Sequence, residues 1–165
     1  MTADPAAELH TIIDLIRYGA SRFNASDLTF GHSYDNARLL KSDLFSGLSG
    51  EHYQLIVTNP PYVTNAETDA LPKEYSYEPE MGLRAGDDGL DLVLKILRDA
   101  PLHLSQDGLL ICEVGESEQA LVKLLPDVEF AWVEFKVGQM GIFAVECAEL
   151  IVHHSRIRQL ADARP

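Results

Sequence analysis

The sequence predicts an α/β domain, and three patterns in its 165 residues predict it. Two short apolar runs rich in branched residues, Leu55–Thr58 and Leu109–Gly115, read as buried strands. Between them Leu90, Val93, Leu94 and Leu97 recur at helical spacing, so a helix packs between the two strands in sequence order. After them, Phe130–Phe135 and Ile142–Cys147 flank Gly138-Gln139-Met140-Gly141 and read as an antiparallel pair that closes the sheet.

From the N-terminus, Asp4 and Pro5 suit the cap and first position of a helix. Leu9, Ile12, Ile13 and Ile16 then give one apolar stripe on a helix running to about Phe23. Leu28 to Asn36 is polar and aromatic, a loop on its residues alone. Asp43 precedes Gly47-Leu48-Ser49-Gly50 and suits a turn or a cap.

The first buried strand stops on Asn59-Pro60-Pro61-Tyr62. Two consecutive prolines fix φ twice and remove two N–H donors, so the backbone presents carbonyl acceptors rigidly beside the Asn59 amide and the Tyr62 ring. That is a socket for a flat group carrying an N–H2. The plainer alternative is a strand ended by a Pro-Pro turn.

Val63 to Met81 is polar and contains proline, an irregular loop of a length that is usually functional or disordered. Asp87 or Asp88 is placed to cap the helix that follows. Pro101 ends or restarts that helix before Leu104, and Ser105-Gln106-Asp107-Gly108 is a turn. Glu113 stands near the carboxyl end of the second strand, where α/β folds place ligand groups and where structural carboxylates also occur. Ser117 to Leu125 is a short helix stopped by Pro126, and the tail from Leu150 is helical or frayed.

Composition bounds the function. With 46% hydrophobic and 24% charged residues the chain supports one packed domain. Its net charge of −13 argues against direct contact with a nucleic-acid backbone and suits a basic protein as partner. No run is apolar enough for a membrane span, and Met1 to His10 lacks the features of a secretory signal, so the cytoplasm is the expected location. Cys112 and Cys147 lie in apolar, strand-like runs and read as buried free thiols, and the six histidines show no metal-ligand spacing. His153-His154 reads as an exposed tail pair.

Asn-Pro-Pro-Tyr after an apolar strand resembles motif IV of the S-adenosylmethionine-dependent methyltransferases that modify planar amino groups. The N-terminal helix, Gly31-His32-Ser33-Tyr34-Asp35-Asn36, Ser42-Asp43-Leu44-Phe45, Glu78-Pro79-Glu80-Met81-Gly82-Leu83 and Gly86-Asp87-Asp88-Gly89-Leu90 narrow the likeness. Together they are similar to the N5-glutamine methyltransferase family, in its branch acting on large-subunit ribosomal protein L-three. The resemblance implies a Rossmann-like methyltransferase fold, with residues 1–36 as a helical substrate-recognition segment and 37–165 as a partial methyltransferase domain. It implies S-adenosylmethionine as cofactor, a basic ribosomal protein as substrate, and transfer of a methyl group to a glutamine side-chain nitrogen. It also implies roles: Asn59 Oδ1 and the Pro60 carbonyl orient the amide, Pro61 shapes the wall, Tyr62 stacks, and Asp43 with Leu44 holds adenine. Asn59 is counted with the cofactor residues as well.

The chain departs from that pattern between Asn36 and Arg38. The family's glycine-rich donor loop and its first strands have no counterpart, because none of the glycine pairs follows a strand and opens a βα unit. Arg38–Lys41 is left as the remnant of the first half, and the strand ending at Thr58 is expected to expose an edge open to self-association. Two other assignments stand beside the main one: the release-factor branch of the family, and a catalytically inactive fragment acting at most as a binding module. The adenine-N6 DNA methyltransferases share the tetrapeptide, but the acidic balance argues against them.

Overall fold

The computed structural model describes residues 42–62, 64, 85–133 and 141–165. The expected N-terminal helix, the 28–36 loop, the Arg38–Lys41 strand and the Glu78–Leu83 stretch lie outside the described residues, as does the 63–81 loop apart from Thr64. The chain divides into two compact units, Met1–Asp43 and Leu44–Pro165, and the second carries the sheet.

In that unit the expected α/β order holds. Strand β1 (Tyr53–Thr58) is followed by helix α1 (Asp91–Asp99), a 3-10 turn at Ala100–Leu102, strand β2 (Leu104–Glu113), a second 3-10 turn at Gly115–Ser117 and helix α2 (Glu118–Leu124). Strands β3 (Ala131–Trp132) and β4 (Ile142–Glu146) come next, then helices α3 (Cys147–Val152) and α4 (His154–Asp162). The four strands form one sheet in the order β1-β2-β4-β3. β1 and β2 are parallel, pairing Leu55 with Leu109 and Thr58 with Cys112. β4 runs antiparallel to both β2 and β3. Among the described residues β1 is therefore an outer strand.

Alternation decides which side chains meet the helices. Leu110, Cys112 and Val114 on one face, with Phe143 and Val145 of β4, join the main core beneath Val93, Leu94 and Leu97 of α1 and Leu150, Ile157 and Ala161 of α3 and α4. The i, i+3, i+4, i+7 stripe of α1 is buried as its spacing required, with Leu90 fully enclosed. Each such leucine contributes roughly 1.5–3 kcal/mol of burial. Asp91 in the first turn and Arg98 in the last suit the helix dipole. Pro101 at the following turn ends the helix, as expected. Where β3 meets β4, Phe143 packs against Phe130 and Trp132 with ring centroids 4.7 and 5.5 Å away, the first pair tilted and the second edge-on.

The structure corrects several local expectations. Ser105–Gly108 does not form a separate turn: β2 runs through it, because Tyr53 pairs with Leu104 and Leu55 already with Leu109, so the extra residues bulge out of the ladder. No side chain caps α1, whose cap residue is Leu90. Asp88 instead accepts the Leu90 N–H at 3.2 Å, closing a turn ahead of the helix. Cys147 opens α3 rather than continuing a strand, although both cysteines are buried and free as expected. The tail is two ordered helices, and His153 and His154 are half-buried. His153 pairs with Glu149 at 3.2 Å, and the His154 ring lies 3.0 Å from the Arg98 carbonyl.

Candidate active site at the strand ends

Because β1 and β2 are parallel, their carboxyl ends open on the same edge of the sheet, and in open α/β sheets that edge is where ligands bind. Thr58 is level with Cys112, so the chain leaving β1 through Asn59 stands beside Glu113, the last residue of β2. Pro60 is buried, and Asn59, Pro61 and Tyr62 are half-buried. Of the four tetrapeptide residues, Tyr62 meets Glu113 directly and Asn59 follows the strand position next to it.

Tyr62 is held from several sides. Its hydroxyl donates to Glu113 Oε1 at 3.0 Å. Burial, then the Glu113 charge, then that hydrogen bond push its pKa up to about 12. Gly115, with φ 52°, presents its bare Cα to the ring, where a Cβ would stand 2.5 Å from Tyr62 Cε2. The backbone of Tyr62 rests on Gly89, φ 75°, where a Cβ would overlap both the Tyr62 carbonyl and the Ser117 hydroxyl. Ser117, buried, donates to that carbonyl at 3.5 Å. Gly141 closes the cluster: its carbonyl accepts the Val114 N–H at 2.7 Å, and a Cβ on it would overlap the Gly115 backbone.

The residues expected at adenine, Asp43 and Leu44, flank the division between the two units. Asp43 is an exposed turn residue in the other compact unit. Leu44, with φ 46°, packs on the hydrophobic core. Its neighbour Phe45 stacks on His103 at 4.9 Å, at the end of the β1–β2 pair opposite to Asn59.

Sequence reasoning missed Gly89, Gly115, Ser117 and Gly141, and left Glu113 between two roles. The available signal was Gly115, the last residue of the expected strand and just ahead of a short helix, which is where a chain turns tightly at the rim of a sheet. Among the described residues no group of three or more His, Cys, Asp or Glu side chains is placed to hold a metal. No helix among them is long and apolar enough to cross a membrane.

No family model matches the chain. Its curated relatives are more informative. Over 130 residues, 79% of this chain and 42% of the relative, it is 82% identical to a ribosomal protein uL3 glutamine methyltransferase of Xanthomonas campestris pv. campestris. The chain is a relative of the uL3 glutamine methyltransferases. A protein of that name from Xylella fastidiosa is 76% identical over 129 residues, covering 78% of this chain and 41% of the relative. One from Francisella tularensis subsp. tularensis is 42% identical over 125 residues, covering 76% and 40%. The chain spans about two fifths of the length of these uL3 glutamine methyltransferases.

Proposed function

We propose that the chain carries the glutamine-binding half of an S-adenosylmethionine-dependent methyltransferase that modifies a glutamine side-chain nitrogen in ribosomal protein uL3. The 82% identity to a protein of that name carries the reading. The strand order β1-β2-β4-β3 with an antiparallel β4 supports taking the sheet as the second half of a Rossmann-like methyltransferase domain. The reading includes residues 1–36 as the substrate-recognition segment, a basic ribosomal protein as partner, no direct nucleic-acid contact and a cytoplasmic location.

An amide nitrogen is a weak nucleophile because its lone pair is delocalised into the carbonyl. Asn59 Oδ1 and the Pro60 carbonyl accept its two N–H bonds and fix its plane, which aligns the lone pair with the incoming carbon. Pro61 walls the socket. Tyr62, tethered by Glu113, supplies a flat face whose position does not drift. When bound, S-adenosylmethionine supplies a methyl carbon activated by an adjacent sulfonium. The described residues fit the acceptor side better than the donor side, since the bare Cα of Gly115 at the end of β2 is already covered by the Tyr62 ring. Asp43 and Leu44 are assigned to adenine by resemblance alone, and the glycine-rich donor loop to the three fifths of the relatives' length outside the match.

The test is transfer of labelled methyl from S-adenosylmethionine to recombinant uL3 and, separately, to a release factor, with mass spectrometry locating the product. Methylated glutamine in uL3, lost in Asn59→Ala, supports the reading; preference for the release factor moves it to the sibling branch. No transfer by folded protein overturns it for this chain. Calorimetry with S-adenosylmethionine then shows whether the donor side is at fault. The partial span favours a second reading, a binding module that engages uL3 without modifying it.

A further inference from the structure

Arg164 lies far in sequence from the tetrapeptide, yet its guanidinium is mostly enclosed, with 17% of the side chain exposed. Nη1 donates to Asp88 Oδ1 at 2.5 Å and to Asp91 Oδ1 at 2.8 Å, and Nη2 donates to Asp88 Oδ2 at 2.7 Å. Asp88 is thus gripped by both arms of the fork and Asp91 by one, a bidentate geometry that a lysine ammonium cannot reproduce. Without the cation the two carboxylates, sharing one nitrogen between them, would face each other across a short gap.

The position of these carboxylates gives the fork its consequence. Asp88 sits in the turn Gly86–Gly89, whose two glycines are both left-handed, with φ 84° and 75°. The Leu90 N–H also donates to Asp88 Oδ1, and the Asp91 N–H closes the turn on the Ala85 carbonyl at 3.2 Å. Gly89, next to Asp88, is the residue on which the Tyr62 carbonyl rests. A second ionic cluster, Arg98 with Asp99 and Asp162, ties α1 to α4 without touching that turn.

We propose that Arg164 is a positioning residue for the Asn59–Tyr62 site: by bridging Asp88 and Asp91 it sets the Gly86–Gly89 turn, and through Gly89 the seat of Tyr62. Its importance for activity rests on the glutamine-methyltransferase reading. Its effect on Tyr62 does not.

The experiment labels the tyrosines with 13C, assigns Tyr62 with Tyr62→Phe, and follows its resonance and titration in Arg164→Ala, Arg164→Lys, Asp88→Asn and Arg98→Ala, with a thermal melt for each. Arg164→Ala is expected to move the Tyr62 resonance and to lower its pKa from about 12 toward the ordinary tyrosine value, as water reaches the ring. Asp88→Asn should move it the same way, and Arg164→Lys, which keeps the charge but not the fork, should restore less than half of the shift. Arg98→Ala should lower the melting temperature and leave Tyr62 where it is. An unmoved Tyr62 in folded Arg164→Ala overturns the proposal, and so does an equal movement in Arg98→Ala. If Arg164→Ala fails to fold, Arg164→Lys decides by the same criterion. No methyl transfer enters the readout, so failure of the enzymatic reading would leave these shifts in place, and an unmoved Tyr62 would leave that reading standing.

Discussion

The Tyr62 hydroxyl donates to Glu113 Oε1 at 3.0 Å across 51 positions of sequence, joining the loop that leaves β1 to the last residue of β2. A ring held in this way is a fixed wall rather than a mobile lid. It is also an acid held in its neutral form, and that has a measurable signature.

The Tyr62 pKa is raised from about 10 to about 12, so the folded state keeps a proton that the unfolded chain gives up. This group's contribution to stability is therefore fully present below pH 10 and lost as pH rises from 10 to 12. Urea unfolding at pH 9, 10 and 11 should show stability falling less steeply in Tyr62→Phe than in the wild type. Glu113→Gln should move the transition down only partway, because burial remains the largest cause of the shift. Equal slopes in the wild type and Tyr62→Phe would remove the basis for this account.

Glycine substitutions separate backbone strain from steric exclusion. Gly50 and Gly89 have nearly the same φ, 76° and 75°, but a Cβ on Gly50 meets nothing within 4 Å. Gly50→Ala should cost about 1–2 kcal/mol, the strain of a left-handed alanine. Gly89→Ala adds overlap with the Tyr62 carbonyl and the Ser117 hydroxyl, and should exceed that by about 2 kcal/mol or more. Urea midpoints measure both, and equal losses would mean that the contact with Tyr62 is soft.

What the sequence showed of this molecule was what depends on near neighbours. The α1 stripe was legible because Leu90, Val93, Leu94 and Leu97 lie within two turns of one another, and the β1 terminus because prolines act on their own backbone. Ser105–Gly108 misled for the same reason. Its residues have turn chemistry, and only the pairing of both flanks with β1 shows that they bulge within a strand. Glu113 could not be assigned until Tyr62 was beside it, and Arg164 reaches Asp88 across 76 positions. Neither partnership leaves a periodic trace. His154 looked like an exposed tail residue because the Arg98 carbonyl reaches it only when α4 packs on α1, whereas the partner of His153, Glu149, lies just four positions earlier and was within reach of the sequence.

The core predicts a sharp contrast between two leucines. Leu97 is fully buried, and Leu97→Ala should destabilise by about 3 kcal/mol through lost burial and the cavity left behind. Leu102, in the next turn, is 65% exposed, and Leu102→Ala should fall within about 0.5 kcal/mol of the wild type. Chemical denaturation of the two variants side by side is sufficient.

The thiols should be silent in the folded protein. Burial pushes Cys112 far up, with the neighbouring Glu113 charge adding to it, and burial raises Cys147 as well. A thiol-reactive disulfide reagent at pH 8 should therefore detect no thiol in native protein and both in guanidinium. Rapid reaction without denaturant would contradict the burial of at least one of them.

The pairing of β1 with β2 has a further consequence for the order of events along the chain. β2, β4 and the helices packed on them draw on contacts within residues 90–162, whereas Tyr53–Thr58 must close a loop of roughly fifty residues before its first ladder bond forms. Loop closure delays such long-range pairing, so the C-terminal half provides a template and β1 joins it late. The tetrapeptide rides on that last strand. In a nascent or partly unfolded population, the order of Asn59–Tyr62 beside Glu113 is gained last and given up first, while most of the core remains intact.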